Sequence, residues 1–228
     1  YKALDVAVRS TLQSLKRAGM RPSIYLDGRA TMLKSATLAS RRQQRAQRSE
    51  RLQAKCMGGA IIEPSELPIR MVGVSPCFRR EVGAHGLSDR GIWRVHQFTK
   101  VEQIVICDPE DSWDHHEDLL TNAVDMWDSL GMHYRVVNIC TGDMGTVAAR
   151  KYDLEAWLPG ANAYKEVVSC SNCTDYQANR LRMRYRTSEG NSAVHTLNST
   201  AIATSRALVA IMEQNQLEDL SLIHISEP

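Results

Sequence analysis

Neither sign of charge prevails in this 228-residue chain: 28 lysines and arginines stand against 26 aspartates and glutamates, for a net charge of +2. No global field draws in a polyanion, so any such contact must come from local patches. Cysteine is scarce. Six residues are too few for a disulfide scaffold and suit a reducing compartment. No apolar run approaches the roughly 20 residues that span a bilayer, and no repeat or linker interrupts residues 60–216. The chain opens on Tyr1 rather than Met, so it reads as a fragment whose targeting segment would lie elsewhere. What is present, 43% hydrophobic residues, can fill the core of one large domain or a substantial part of one.

Leu4, Val8, Leu12 and Leu15 recur at helical spacing, and Gly19 is a plausible C-cap, which predicts a helix over 3–19. A short β-like segment, SIYL, follows. Arg41 to Arg51, RRQQRAQRSER, is basic and polar, the usual composition of a solvated face or loop. From Arg70 the period changes to two, and RMVGV, CFRRE, IWRVHQF and KVEQIVI read as successive strands. Asp108, Pro109 and Glu110 supply an N-cap, an N1 proline and a first-turn acid. The helix they open turns Leu119, Leu120, Val124 and Trp127 inward and ends near Gly131. YRVVNIC, YDLEAWL, AYKEVVS and SAVHTLN read as further strands, and AIATSRALVAIMEQ as an amphipathic helix over 201–214. Strands outnumber helices and follow one another like hairpins. The expected class is α+β: a mostly antiparallel sheet flanked by helices.

The run Ser75–Gln103, SPCFRREVGAHGLSDRGIWRVHQFTKVEQ, interleaves charges with apolar residues on both sides of a Gly-containing middle. Read as a hairpin with its loop near 82–91, it sets Arg79 and Glu81 on one face of the first strand. Arg94, His96, Phe98, Lys100 and Glu102 share a face of the second. Arginines in such a cleft can clamp phosphate oxygens, Phe98 can stack on a nucleobase, and a carboxylate can accept from an amine or ammonium. The bland alternative is a salt-bridge ladder facing water. Further along, Glu166 and Ser169 in KEVVSCSN lie close enough to hold a hard cation through oxygen. Arg206 falls in the second turn of the last helix, on its polar side.

RVHQFTKVEQ, CTGDMG, YDLEAWLP, SCSN and HTLN stand in this order between about Ala60 and Asp219. Together they resemble the seryl-tRNA synthetases of class II, and the hairpin resembles motif 2 of that class. The resemblance implies ATP-dependent ligation of serine to its tRNA through a seryl-adenylate. It implies that Arg79 grips the α-phosphate, that Glu81 reads the adenine amine, and that Phe98 stacks on the ring with Arg94 beside it. Glu102 would accept the ammonium of serine, with Thr200 and Asn198 nearby. Glu166 and Ser169 would hold Mg²⁺ and ATP, and Arg206 the γ-phosphate. ATP, L-serine and tRNA(Ser) are the implied partners, with a homodimer in the intact enzyme, no membrane, and a cytoplasmic or mitochondrial location. Ala201 and Ala203 stand where the family usually has glycine.

Before Ala60 the likeness degrades. ALDVAVRSTLQSLKRAGMRP resembles motif 1, but Tyr25 and Leu26 stand where prolines belong. AQRSERLQAKCMGG aligns best with the substrate loop, placing Glu50 at its serine-binding carboxylate and Arg48 where the family has threonine. A frame error, a mis-joined exon and genuine divergence each account for residues 28–59. Arg48 would set a fixed positive charge beside the serine ammonium and weaken serine binding while sparing ATP. Leu220–Pro228, LSLIHISEP, resembles a translated sequencing adapter and is set aside as non-native. The chain then divides into a partial catalytic domain, 1–219, whose 1–59 part is degraded, and the 220–228 tail. A catalytically impaired paralogue acting by binding is one alternative; a basic RNA-binding module using 41–51 is another. Cys170 and Cys173 pair as CSNC without a second ligand pair, so zinc is not the preferred reading. His115 and His116 are expected on the polar side of their acidic helix.

Overall fold

The computed structural model describes residues 21–22, 59, 61–79 and 91–217, the first pair by backbone alone. The expected helix over 3–19, the SIYL strand, the basic run, Arg48, Glu50, Glu81 and the 220–228 tail lie outside these residues.

The alternating stretch after Arg70 forms two long strands rather than four short ones. β1 is Arg21–Pro22, β2 is Ile61–Ile62, β3 is Ile69–Phe78 and β4 is Gln97–Cys107. β3 and β4 pair antiparallel from Ile69–Ile106 to Phe78–Gln97. Pro76 does not break β3. On that strand's outer side β1 pairs, among the described residues, with Met71 and Val72, and proline's missing N–H is tolerated where no neighbour needs it. Ile92 and Trp93, expected in a strand, instead lie in the 3₁₀ turn Gly91–Trp93, where Gly91 takes a φ of +72° and Trp93 turns into the core.

α1 is Ser112–Ser129. It begins later than Asp108 predicts. The Asp108 carboxylate accepts from the Glu110 N–H at 3.1 Å and closes a turn ahead of the helix, leaving Asp111 as the N-cap. β5 is Tyr134–Asn138, β6 is Arg150–Leu158 and β7 is Ala163–Asn172; α2 is Tyr176–Leu181, β8 is Arg184–Thr187 and β9 is Gly190–Ala193. β10 is His195–Ala203 and α3 is Thr204–Gln214. The expected SAVHTLN strand therefore divides at the fully buried Val194. Its first part joins a small sheet, β2-β8-β9, and its second the main sheet, β1-β3-β4-β10-β7-β6-β5. Every described pairing in the main sheet is antiparallel except β1 with β3. α3 starts at Thr204 because Ala201–Ala203 complete β10. No helix among the described residues is long and apolar enough to cross a membrane.

The main sheet has two unlike faces. Val72, Val101, Val105, Leu154, Cys170 and Leu197 join Leu119, Ala123, Met126 and Trp127 of α1 in one apolar cluster. Burial of a side chain such as Leu119 stabilises by about 1.5–3 kcal/mol. His115 and His116 are buried too, against expectation. They lie one turn before Leu119, on the same stripe, so helical period carries them under the sheet whatever their polarity. Gln103 anchors the contact: its Nε2 donates to the Leu119 carbonyl at 3.2 Å and its Oε1 accepts from Asn122 at 3.0 Å.

Candidate active site

The opposite face of the sheet is polar, and the register says why. Phe98, Lys100 and Glu102 alternate on β4, and their partners on β3 are Cys77, Ser75 and Gly73. These small neighbours leave the face open; a Cβ on Gly73, opposite Glu102, would meet nothing within 4 Å. On β10, Thr200 is the partner of Glu102. The register shifts between Thr200 and Ile202, so Ala201 is an extra residue, and the chain then enters α3. Arg206 consequently falls in the first turn of α3, not the second.

A second bulge brings Glu166 and Ser169 together. Three residues apart on a regular strand, they would point to opposite faces. Here Glu155 pairs with Glu166, Leu154 with Val168 and Asp153 with Ser169, so Val167 is the extra residue. Glu166 and Ser169 therefore share a face with Asp153 and Glu155. Burial pushes the Asp153 carboxyl above the ordinary carboxylate range, while the Lys151 ammonium at 3.1 Å pulls the other way. Its Oδ1 is buried without a hydrogen-bond partner.

An open cleft of about 470 Å³ lies over this face. Six of the expected residues line it: Arg79, Arg94, Phe98, Glu166, Thr200 and Arg206. Lys100 and Trp93 line it too. Among the described residues that line it, four cations stand against one carboxylate, a positive character that the net charge of the chain conceals. Arg79 is placed by closure of the hairpin: its N–H donates to the His96 carbonyl at 2.9 Å, and His96 Nδ1 donates back to the Arg79 carbonyl at 3.0 Å. That contact accounts for His96, which does not reach the cleft. The Arg79 guanidinium lies 5.4 Å from the Phe98 ring centroid. Arg206 lies 5.2 Å over the Trp93 ring, donates to the Glu166 carbonyl at 2.7 Å, and has the Glu166 carboxylate at 3.6 Å.

Glu102 and Asn198 stand beside the cleft, behind Thr200. Glu102 Oε1 accepts from Asn198 Nδ2 at 3.0 Å, and Oε2 accepts from Thr200 Oγ1 at 3.1 Å. Lys100 Nζ is 3.1 Å from the same Oε2. Trp93, Lys100 and Asp153 carry no role in the sequence reading. Trp93 was hidden by a strand-like pattern, whereas the alternation that marks Phe98 and Glu102 already marks Lys100.

Cys170 and Cys173 are buried, and burial pushes their thiols up to about 12 and about 11. No group of three or more His, Cys, Asp or Glu side chains able to hold a metal occurs among the described residues.

Residues 49–215 match the model of the tRNA synthetase class II core domain (G, H, P, S and T). The serine–tRNA ligase of Methanocella arvoryzae is 61% identical over 168 residues, covering 72% of this chain and 40% of that protein. The chain thus spans well under half the length of this relative. The structure of seryl-tRNA synthetase from Pyrococcus horikoshii complexed with ATP superimposes with a TM-score of 0.78 at 41% identity, over 96% of this chain and 52% of that one. The cytoplasmic serine–tRNA ligase of Naegleria fowleri in complex with AMP gives a TM-score of 0.75 at 38% identity, over 94% and 55%.

Proposed function

Because the chain belongs to the class II tRNA synthetase core family, we propose that it carries the adenylation site of a serine–tRNA ligase. It activates serine with ATP and passes the seryl group to tRNA(Ser). The observation that carries this reading is the cation-lined cleft opening beside a carboxylate already held by hydroxyl, amide and ammonium donors. One end suits a triphosphate and the other an amino acid's ammonium.

In the first half-reaction a serine carboxylate oxygen attacks the α-phosphorus of ATP. A carboxylate–phosphorus bond forms, the bond to the bridging oxygen of the β-phosphate breaks, and pyrophosphate leaves with that electron pair. No enzyme nucleophile is needed, so catalysis is by positioning and charge stabilisation. Arg79 stabilises the charge at the α-phosphate. Phe98 stacks on the adenine, with Glu81 reading its amine, and Arg94 adds a further cation to the ATP site. Arg206, steadied by Trp93 and Glu166, takes the γ-phosphate. Glu102, Thr200 and Asn198 take serine, with Glu50 from the preceding loop. The all-oxygen donors Glu166 and Ser169, facing the unpartnered Asp153 Oδ1, suit a hard cation, and they would hold Mg²⁺. Bound there with ATP, Mg²⁺ would neutralise phosphate charge. Residues 1–219 would form part of that catalytic domain, and the intact enzyme would be a homodimer.

The test is serine-dependent pyrophosphate exchange at high serine, beside direct ATP titration. Arg79→Ala should lower exchange by about two to three powers of ten, as loss of a transition-state donor costs about 2.7–4 kcal/mol. ATP binding should weaken far less, since other cations remain. Equal losses in both, or exchange indifferent to Arg79, would overturn the assignment.

A further inference from the structure

Lys100 stands between the two substrate positions and belongs to both. Its ammonium contacts Glu102 Oε2 at 3.1 Å, and its side chain lines the cleft with Arg79, Arg94 and Arg206. Glu102 and Lys100 are both largely sheltered, with side-chain exposures of 19% and 25%, so water screens their attraction only partly. Asn198 and Thr200 supply the remaining donors to Glu102. These two are fixed by β10; Thr200 is 7% exposed and β-branched, hence stiff. Lys100 differs. Its charge rides on a flexible four-carbon stem, and its ammonium is the same chemical group that an amino acid brings. Among the three donors it is therefore the one an incoming ammonium displaces.

We propose that Lys100 is a movable counter-ion that couples the two subsites. It holds the ammonium position on Glu102 until a triphosphate in the cleft draws it away, and that position then opens to serine. This rests on the adenylation reading above. The competition is between one carboxylate and a polyanion reached from the same strand, which favours the phosphates once they are present. Linkage makes the effect reciprocal: if the nucleotide raises serine affinity by some factor, serine raises nucleotide affinity by the same factor. No proton or bond is transferred by Lys100. It is a positioning residue, distinct from the arginines that stay in the cleft throughout.

The experiment titrates α,β-methylene ATP, whose α–β bridging oxygen is replaced by carbon and which adenylation therefore cannot cleave, into the full chain by calorimetry, without serine and at saturating serine. Wild type, Lys100→Met and Lys100→Arg are compared. Wild type should bind the analogue at least about fivefold more tightly with serine present, at the low end of common coupling factors. Lys100→Met should bind serine more tightly in the analogue's absence, and its coupling should shrink to about twofold or less. Lys100→Arg should keep coupling, and thermal unfolding of all three should agree. Undiminished coupling in Lys100→Met overturns this inference alone. So does serine binding that weakens in Lys100→Met with and without analogue, because Lys100 would then merely hold Glu102 in place. Wild type that binds the analogue but no serine overturns the ligase reading as well.

Discussion

In the proposed site, Glu102 is the residue at which charge rather than shape would decide the ligand. Its two oxygens already receive an amide, a hydroxyl and an ammonium, an arrangement that a neutral side chain of the same size would not sustain. Glu102→Gln keeps the volume and removes the charge. A hydrogen bond to a charged group contributes about 1.5–3 kcal/mol, so serine affinity should fall by about one to two powers of ten, at roughly 1.4 kcal/mol for each. Nucleotide affinity should change little. An equal fall for both ligands would show that the variant has disturbed the β4–β10 register instead. Much of this site was legible in the sequence, because a strand repeats every two residues and Phe98, Lys100 and Glu102 announce their shared face. Glu166 and Ser169 were legible as a hard-cation pair from their nearness in the sequence, but not as neighbours on one strand face. Their spacing is wrong for one strand face, and the bulge at Val167 that corrects it leaves no mark in composition.

At the scale of elements, what the sequence hid was where strands join and divide. Pro76 and the Gly91 turn look like similar punctuation, yet β3 runs through the first while the second ends the loop. The difference lies in which neighbours each strand has, which a local pattern does not contain. The same holds for α1, whose sheet-facing stripe includes two histidines. His116 is fully buried, stacked on Tyr152 at 5.1 Å, and its Nε2–H donates to the Cys170 carbonyl at 3.1 Å while Nδ1 has no partner. Burial holds its pKa below the usual value near 6.5, outweighing the Cys170 carbonyl and Glu117, which favour the imidazolium. Half-buried His195, with Ser112 Oγ at 2.9 Å, is shifted the same way by desolvation. In each case the unfolded chain takes up the proton first as pH falls. Stability is therefore full above about 6.5 and declines below it, by at most about 1.4 kcal/mol per pH unit for each histidine, until the folded group also titrates. His116→Gln, which retains a donor for the Cys170 carbonyl, should flatten that decline between neutral pH and about 5. Thermal unfolding across this range is the measurement, and an equally steep decline in the variant would assign the acid sensitivity elsewhere.

Across the whole molecule, the matched core begins at residue 49 and the described structure is nearly continuous from 91 to 217. β4, β7 and β10 carry Phe98, Glu102, Glu166, Ser169, Asn198 and Thr200 of the proposed site, while Arg79, Arg94 and Arg206 lie beside these strands. The substrate loop is a different matter. Glu50 lies just inside the region that the family model matches and Arg48 just outside it, so the proposed serine pocket would draw on residues from both sides of that boundary. An arginine there, about 4 Å from the substrate ammonium, opposes it by roughly 4 kcal/mol at an effective dielectric near 20, and by less where water enters. The proposed nucleotide end of the cleft, lined by Arg79, Arg94 and Arg206, would not feel this repulsion and would gain slightly from the added charge. The chain should accordingly bind ATP well and serine poorly. Arg48→Thr should raise serine affinity by about two to three powers of ten, with ATP affinity unchanged or marginally lower. Serine-dependent pyrophosphate exchange across a serine titration, with ATP held saturating, reads this as a fall in the half-saturating serine concentration. An unchanged half-saturation in Arg48→Thr would mean that Arg48 points away from the pocket, and the placement of Glu50 beside serine would fall with it.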